Sequence, residues 1–492
     1  MKNKKEDLIV LLFIIIAVTA FAFNYKLTVG DEIWNFSNMY KMSQGYTIYK
    51  DLNVIITPFI FYIGEILFKI FGGNILVEKV LNVCICVYFF FLIYKIFEQL
   101  KLDKVNSIFY TIVIYWKIFY ITIGGANYNI LALVFCFIGI LFILKHKPYW
   151  IQGIIIFLIF MTKQNIGIYY LIGYVITKII EVIQNAKAVN KENIKQWIKE
   201  LMIPIGIFIV LFAIYLLYLY TQNNLYNFIN YTFLGISEFG RKNLAFDTGC
   251  LIYLLIIALM VYPMILFILN FKKFNINKEI KQKAYVLMSF SVPLLFIAYP
   301  LINRWHTDLG IITTIIFAIY VIEKSFLEEL ANNKIIKNIK KIIIGLFLIL
   351  ITIFSIVQNV QYFNALKTYD YYDVYYGALI DNDVKKEIDE IVNYINEEDK
   401  QTIVLSYYSN LYMNILDRNN EKMDLPFYGN LGKEGENGLI EEIKELQNTN
   451  LLILKEEDKE YQESKKVRNY VIENYKQIGE IGRFFIYDIE NP

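Results

Sequence analysis

Ile55-Ile-Thr-Pro-Phe-Ile-Phe-Tyr-Ile-Gly-Glu-Ile-Leu-Phe-Lys-Ile-Phe71 is the stretch on which the topology turns. It is apolar enough to count as a membrane span, yet it contains Glu65 and Lys69 and is opened by Pro58. If it crosses a bilayer, every later lysine cluster lies outside. If it lies along the surface, Lys101 and Lys104, Lys145 and Lys147, Lys187 to Lys199, Lys272 to Lys283 and Lys324 to Lys341 all join the N-terminus on one side. Cytoplasmic loops are enriched in lysine and arginine, so the charge pattern selects the second reading. The stretch is then an amphipathic helix in the outer interface, with proline at its start, inside an external loop from Lys26 to Asn74.

On both sides of that loop, apolar runs of about 17 to 22 residues recur from Leu8 to Gln358, each long enough to cross roughly 30 Å of hydrocarbon as a helix. They predict spans near 8–25, 75–97, 106–123, 128–144, 149–162, 165–181, 201–221, 249–270, 284–301, 308–323 and 342–358. About eleven spans put the N-terminus inside and export whatever follows the last one. The expected organisation is an all-α polytopic membrane domain over residues 1–358 and a small α/β extracytoplasmic domain over 359–492. Composition agrees: of 492 residues, 57% are hydrophobic and 17% aromatic, with a mean hydropathy of +0.43, well away from the soluble average.

The net charge of +2 hides an asymmetry. The last 134 residues carry 27 Asp and Glu against 15 Lys and Arg, a balance of −12, which leaves +14 for the membrane part. Lysine-rich cytoplasmic loops account for that sign without a nucleic-acid partner. Cys84, Cys86, Cys136 and Cys250 all lie in or at the edge of apolar runs and read as small packing residues. The first run follows Lys2, Lys4 and Lys5 and holds Ala20-Phe21-Ala22, a faint signal-peptidase match; its length favours an uncleaved anchor. In the tail, an amphipathic helix is expected over Asp381–Asn396, with Ile388, Ile391, Val392 and Ile395 on one face. Short strands are expected at Thr402–Ser406, Leu451–Leu454 and Phe484–Tyr487, with helices near Leu439–Leu446 and Lys465–Tyr475, together a small sheet covered by helices.

The chemistry-bearing residues gather in the first external loop, which reads Gly30-Asp31-Glu32-Ile33-Trp34, then Gly45-Tyr46-Thr47-Ile48-Tyr49-Lys50-Asp51, then Thr57-Pro58. Two adjacent carboxylates a few residues beyond a membrane exit can deprotonate an acceptor hydroxyl or amine while a sugar C1 gains oxocarbenium character. Adjacent acids also supply oxygen ligands for a divalent metal ion. The competing reading is that Asp31 and Glu32 cap the helix beginning at Ile33, a contribution of about 0.3–1 kcal/mol. The two roles are compatible.

The order Asp-Glu, a following aromatic, Gly-x-x-x-Tyr-x-Asp and a Pro-led apolar helix resembles the first external loop of GT-C glycosyltransferases, in particular the dolichyl-phosphate-mannose protein mannosyltransferase and aminoarabinose-transferase group. The resemblance covers residues 8–358 in topology and is specific in the first loop; the tail matches loosely. It implies that Asp31 is the catalytic base, that Glu32 supports it, and that Asp51 matches the second acidic position, with Trp34 and Tyr49 as loop support on the acceptor side.

Further residues on the same side suit a phosphate-bearing lipid donor. Thr162-Lys163-Gln164-Asn165 interrupts two apolar runs, and Lys163 is either a partner for a lipid phosphate or a snorkelling interface lysine. Asn303-Arg304-Trp305-His306 offers a guanidinium fork and an imidazole for phosphate oxygens, or an aromatic-belt anchor built on Trp305. Glu238, Arg241 and Lys242 fall in the long loop where the resemblance implies donor binding or gating. Gly125-Ala126-Asn127-Tyr128-Asn129 is similar to a small-polar turn at the pocket edge of those enzymes, and ordinary turn chemistry explains it almost as well. His146, between Lys145 and Lys147, reads as a basic loop residue.

No Gly-rich phosphate loop, HExxH, CxxC pair or GxSxG elbow is present, which removes the motif basis for nucleotide hydrolysis, zinc proteolysis and serine hydrolysis. The expected activity is inverting transfer of a sugar from a polyprenyl-phosphate donor to an exported glycan, lipid or protein, at the outer face of a bacterial plasma membrane. The rivals are an envelope polysaccharide polymerase or ligase, which usually places key arginines in a late loop, and a polyprenyl-sugar transporter or flippase. A transporter predicts internal repeats and mid-bilayer charges.

Overall fold

The computed structural model describes residues 2–23, 26–27, 30–184, 191–236, 248–269, 277–299, 302–325, 333–368, 372–420, 423, 428–456 and 464–490. Over the described residues each predicted span coincides with a helix or, at 308–323, with a bent pair of helices. In chain order these are α1 (Lys2–Ala22), then two helices of the first loop, α2 (Asp31–Ser43) and α3 (Phe59–Phe71), then α4 (Ile75–Gln99), α5 (Lys104–Ile118), α6 (Tyr128–Leu144), α7 (Trp150–Thr162), α8 (Gln164–Gln184) and α9 (Lys191–Thr221). A short α10 (Leu225–Ile229) precedes α11 (Thr248–Leu269), α12 (Lys278–Leu295), α13 (Arg304–Gly310), α14 (Ile312–Ser325) and α15 (Lys334–Thr368).

Length and composition carry part of the expected count of eleven crossings. Among the described residues six helices are long and apolar enough to cross a membrane: Ile75–Gln99, Lys104–Thr122, Gln164–Gln184, Asn193–Thr221, Lys278–Ala298 and Lys334–Thr368. A seventh arises if Arg304–Gly310 and Ile312–Lys324, bent by 43°, form one broken span. Tyr128–Leu144 and Trp150–Thr162 have 17 and 13 residues and fall short of the roughly 20 that a bilayer requires. Their ends fall at Asn127, Pro148 and the Thr162–Gln164 break, in agreement with the predicted runs 128–144 and 149–162.

The Pro-led stretch of the first loop forms α3, only 13 residues long. Its buried face is Ile60, Phe61, Gly64 and Phe68, while Ile66, Ile70 and Phe71 are exposed. Glu65 and Lys69 pair with each other at 2.6 Å. The helix packs on α2, where Gly64 makes room for Met39: a Cβ there would lie 2.3 Å from Met39 Sδ.

Opposite ends of the bundle carry different chemistry. At one end Lys95 binds Asp7 and Glu98, Lys101 and Lys283 bind Glu279, and Lys337 binds Asp103. At the other end lie α2, α3, the turns 119–127 and 163–164, and the tail. A buried network holds the middle: Tyr170 donates to Gln152 Oε1 at 2.7 Å and Gln152 donates to the Gly139 carbonyl at 3.1 Å, tying α6, α7 and α8 together.

The tail forms a four-stranded sheet of order β1-β2-β4-β3, with β1 (Gln401–Val404), β2 (Thr449–Leu454), β3 (Lys476–Ile481) and β4 (Phe484–Asp488). The β1–β2 pair is parallel and the others antiparallel. Alternation sorts the side chains: Val404, Leu452, Leu454 and Ile486 face α16 (Asn382–Glu397), with its buried Ile388, Ile391, Val392 and Ile395. Ile403, Leu451, Ile453 and Tyr487 face α18 (Gly435–Glu445) and α19 (Lys465–Asn474); a short α17 (Ser409–Met413) precedes these two. The three expected strands and three expected helices are present. Strand β3 carries no apolar signal in the sequence, because its residues are mostly exposed and its register is broken between Gln477 and Gly479.

Candidate active site

The site forms where the first turn of α2 meets the first turn of α4. Gly30 precedes α2 with φ +141°, a backbone state closed to most side chains, and its carbonyl accepts from the Trp34 N–H at 3.1 Å. Helix α2 begins at Asp31, whose side chain lies outside the described residues. Both Glu32 carboxylate oxygens are buried.

Facing Glu32 are two residues that the sequence alone does not single out, Glu78 and Lys79, each with no exposed surface. The charges of Glu32, Glu78 and Lys79 lie within Coulombic reach of one another. Glu78 Oε1 accepts the Ala126 N–H at 3.1 Å, and its Oε2 has no hydrogen-bond partner among the described residues. Lys79 donates to the carbonyls of Gly377, at 3.0 Å, and Phe23, at 3.3 Å, with its ammonium 5.3 Å from the Tyr362 ring centre.

The turn 124–127 is wedged between the two acids. A Cβ on Gly125 would lie 2.5 Å from Glu78 Oε1 and 2.6 Å from Glu32 Cγ, so only glycine allows both carboxylates this close. Asn82 fixes the turn by donating to the carbonyls of Thr122 at 3.0 Å and Gly124 at 2.9 Å, and Asn35 donates to Ala126 at 3.4 Å. Gly125→Ala is therefore expected to force the acids apart and lower activity by about tenfold or more while the chain still folds, checked by turnover beside thermal unfolding.

Two basic groups flank other outer turns of the same end. Lys163 contacts Asn129 Oδ1 and sits 4.9 Å from the Tyr128 ring centre, and its charge reaches His306. His306 Nδ1 is 2.9 Å from Asn303 Oδ1. Arg304 stacks over Tyr120 at 4.2 Å and lies 3.8 Å from buried Asp308, which also receives Lys117 at 2.7 Å and the Tyr120 hydroxyl at 2.6 Å. Lys117 is a further basic residue of this end that the sequence analysis does not select, although a lysine inside the run 106–123 carries the same signal as Lys163. Glu238, Arg241 and Lys242 lie outside the described residues.

The remaining loop residues have other neighbours. Trp34 is buried against Phe61 with ring centres 5.8 Å apart. Tyr49, at φ +66°, is fully buried and donates to the Ile56 carbonyl at 2.8 Å; burial pushes its phenol well above the ordinary range. Asp51 closes its own turn by accepting the Thr47 N–H at 2.7 Å and lines an open cleft of about 440 Å³ with Lys50, Asn419, Met423, Glu442, Glu445 and Leu446. These three residues shape the loop. As for a metal ion, no three His, Cys, Asp or Glu side chains gather at one point among the described residues. The metal reading of Asp31 with Glu32 falls in part on the Asp31 side chain, which lies outside the described residues.

The fold is shared with known structures. Two crystal structures of ArnT from Cupriavidus metallidurans, one bound to undecaprenyl phosphate and one in the apo state, match with a TM-score of 0.54 each at 9% identity. The match covers 97% of this chain and 97% of the first, and 98% of this chain and 97% of the second. No protein-family model matches the sequence, and no curated protein matches it. The chain has the fold of those two ArnT structures, and with its apolar helices it is a multi-pass membrane protein.

Proposed function

We propose that the protein is an integral-membrane glycosyltransferase that moves a sugar from a polyprenyl-phosphate donor to an extracytoplasmic acceptor. The observation that carries this reading is the convergence of Glu32 and Glu78 on Gly125, with the Lys79 charge within reach of both, at the tail-bearing end of a GT-C fold. Asp31 is the proposed base: it takes the proton of the acceptor hydroxyl or amine as the new bond to sugar C1 forms. The bond from C1 to phosphate oxygen breaks on the opposite face, so the configuration inverts and the lipid leaves as its phosphate. Glu32 holds the developing positive charge, and Lys79 meets the phosphate. Lys163, Arg304, His306 and Lys117 guide the headgroup, joined in this reading by Arg241 and Lys242. Residues 1–358 are the proposed catalytic membrane domain and 359–492 the extracytoplasmic one, with the lysine-rich end of the bundle in the cytoplasm.

Lys79 favours this reading over a transporter. A buried lysine with two buried acids beside a tight turn is a fixed electrostatic site at one end of the bundle, whereas a transporter's coupling site sits near the bilayer midplane. The test is transfer by the purified protein from undecaprenyl-phosphate mannose and undecaprenyl-phosphate aminoarabinose, with release of undecaprenyl phosphate as the readout. Consumption of neither donor by native protein in a lipid bilayer would remove these donors. Labelling of a cysteine at position 32 from the cytoplasmic side alone would remove the outer-face assignment.

A further inference from the structure

We propose that the tail is a two-point clamp that sets the distance between Glu32 and Lys79, with Asn410 and Gly377 as its positioning residues. The inference rests on the reading of those two side chains as the working site.

The first point lies on α2. Glu32 sits in its first turn, and Ser37, Tyr40 and Lys41 follow one to three turns along, where the tail packs. Ser37 Oγ is 2.8 Å from the side-chain oxygens of both Asn410 and Asn414. Lys41 donates to Asn410 Oδ1 at 3.3 Å, and the Tyr40 hydroxyl donates to Asp417. Burial, and then Asp417, holds the Tyr40 phenol above its ordinary range, which keeps it a donor. Ser37, Lys41, Asn410 and Asn414 are all buried. Sliding the tail along α2 would leave these groups unmatched away from water, a costly outcome.

The second point lies on α4. Gly377, at φ +104°, turns its carbonyl onto Lys79 at 3.0 Å and accepts the Tyr362 hydroxyl at 2.5 Å. A Cβ there would lie 2.6 Å from the Leu76 nitrogen. On either side, Leu76 N–H donates to the Tyr376 carbonyl at 2.9 Å and Leu27 N–H to Leu379 at 2.7 Å. Segment 376–379 is thus threaded against the start of α4, with its carbonyl on the site lysine. Tyr375 joins the two points by donating to the Leu411 carbonyl at 2.7 Å and the Asn410 carbonyl at 3.1 Å. Glu32 and Lys79 belong to different helices, and the tail fixes one relative to the other.

The test uses the full chain in lipid nanodiscs and compares Asn410→Ala with Asn410→Asp, which keeps the accepting oxygen. The alanine variant should speed hydrogen exchange across residues 31–43 by about tenfold. It should lower kcat for the undecaprenyl-phosphate sugar consumed by native protein by about tenfold, with donor KM within about twofold, because geometry and not affinity is lost. The aspartate variant should stay near native in all three. Ser37→Ala, a smaller change, should move exchange and kcat in the same direction if Asn410→Ala does not fold. Native exchange over 31–43 in both alanine variants overturns the clamp, and so does equal impairment by alanine and aspartate, or a loss confined to KM. If native protein turns over neither donor, glycosyl transfer is what fails, and the exchange comparison alone decides the clamp.

Discussion

If the proposed glycosyl transfer runs through Asp31, Asp31→Asn is expected to lower its rate by about 10²- to 10⁴-fold, the range spanned by removal of a general base, while donor KM changes little. Asparagine keeps the size of aspartate. It removes the negative charge and with it the proton-accepting capacity. If Asp31 did no more than favour the start of α2, the substitution would cost about 0.3–1 kcal/mol of helix stability and leave turnover nearly intact. The measurement is therefore paired: initial rates at saturating donor, and the thermal unfolding midpoint of the same preparation. A large rate loss with a small midpoint shift assigns the base role. Rates within about threefold of native would return Asp31 to the capping role, and the proposed chemistry would then need another base. Glu32 provides the internal comparison, because Glu32→Gln removes a charge that lies buried beside Gly125 and should also lower kcat.

Much of this arrangement is legible in the amino-acid order. The helices follow from runs of apolar residues, and α3 is a short helix on which Glu65 and Lys69 pair with each other. The tail helices and three of its strands follow from periodicity. What is not legible has two physical origins. Glu78 and Lys79 stand at the start of a predicted span and are absorbed into it, although adjacent opposite charges in an apolar run are expensive and call for a partner. Lys117 and Asp308 are hidden the same way, and they meet at 2.7 Å. The second origin is distance along the chain. Ser37 and Asn410 are 373 residues apart, and Lys79 and Gly377 are 298 apart, with no periodic pattern linking either pair.

Lys79→Met carries the other large effect, and it divides into two parts that one further substitution separates. Lys79 is fully buried between Glu78 and the carbonyls of Gly377 and Phe23, so its removal leaves two buried carboxylates without their cation. Breaking a buried ionic group by deleting one partner costs about 3–5 kcal/mol, and the unfolding midpoint should fall accordingly. Binding of undecaprenyl phosphate should weaken as well, by about 10- to 100-fold for loss of one charge-assisted contact to phosphate. Adding Glu78→Gln to Lys79→Met restores the charge balance. If Lys79 served only to neutralise its neighbours, the double variant would recover both the midpoint and the lipid affinity. If it meets the phosphate, the midpoint recovers in large part while the affinity stays low, because a methionine offers no donor to the headgroup. Equilibrium binding of undecaprenyl phosphate to native, single and double variants in nanodiscs, beside their unfolding midpoints, separates the two. Native affinity in the double variant would shift the phosphate contact to Lys163 or to the Lys117–Arg304 pair, and a double variant that folds but does not bind keeps it at the centre of the site.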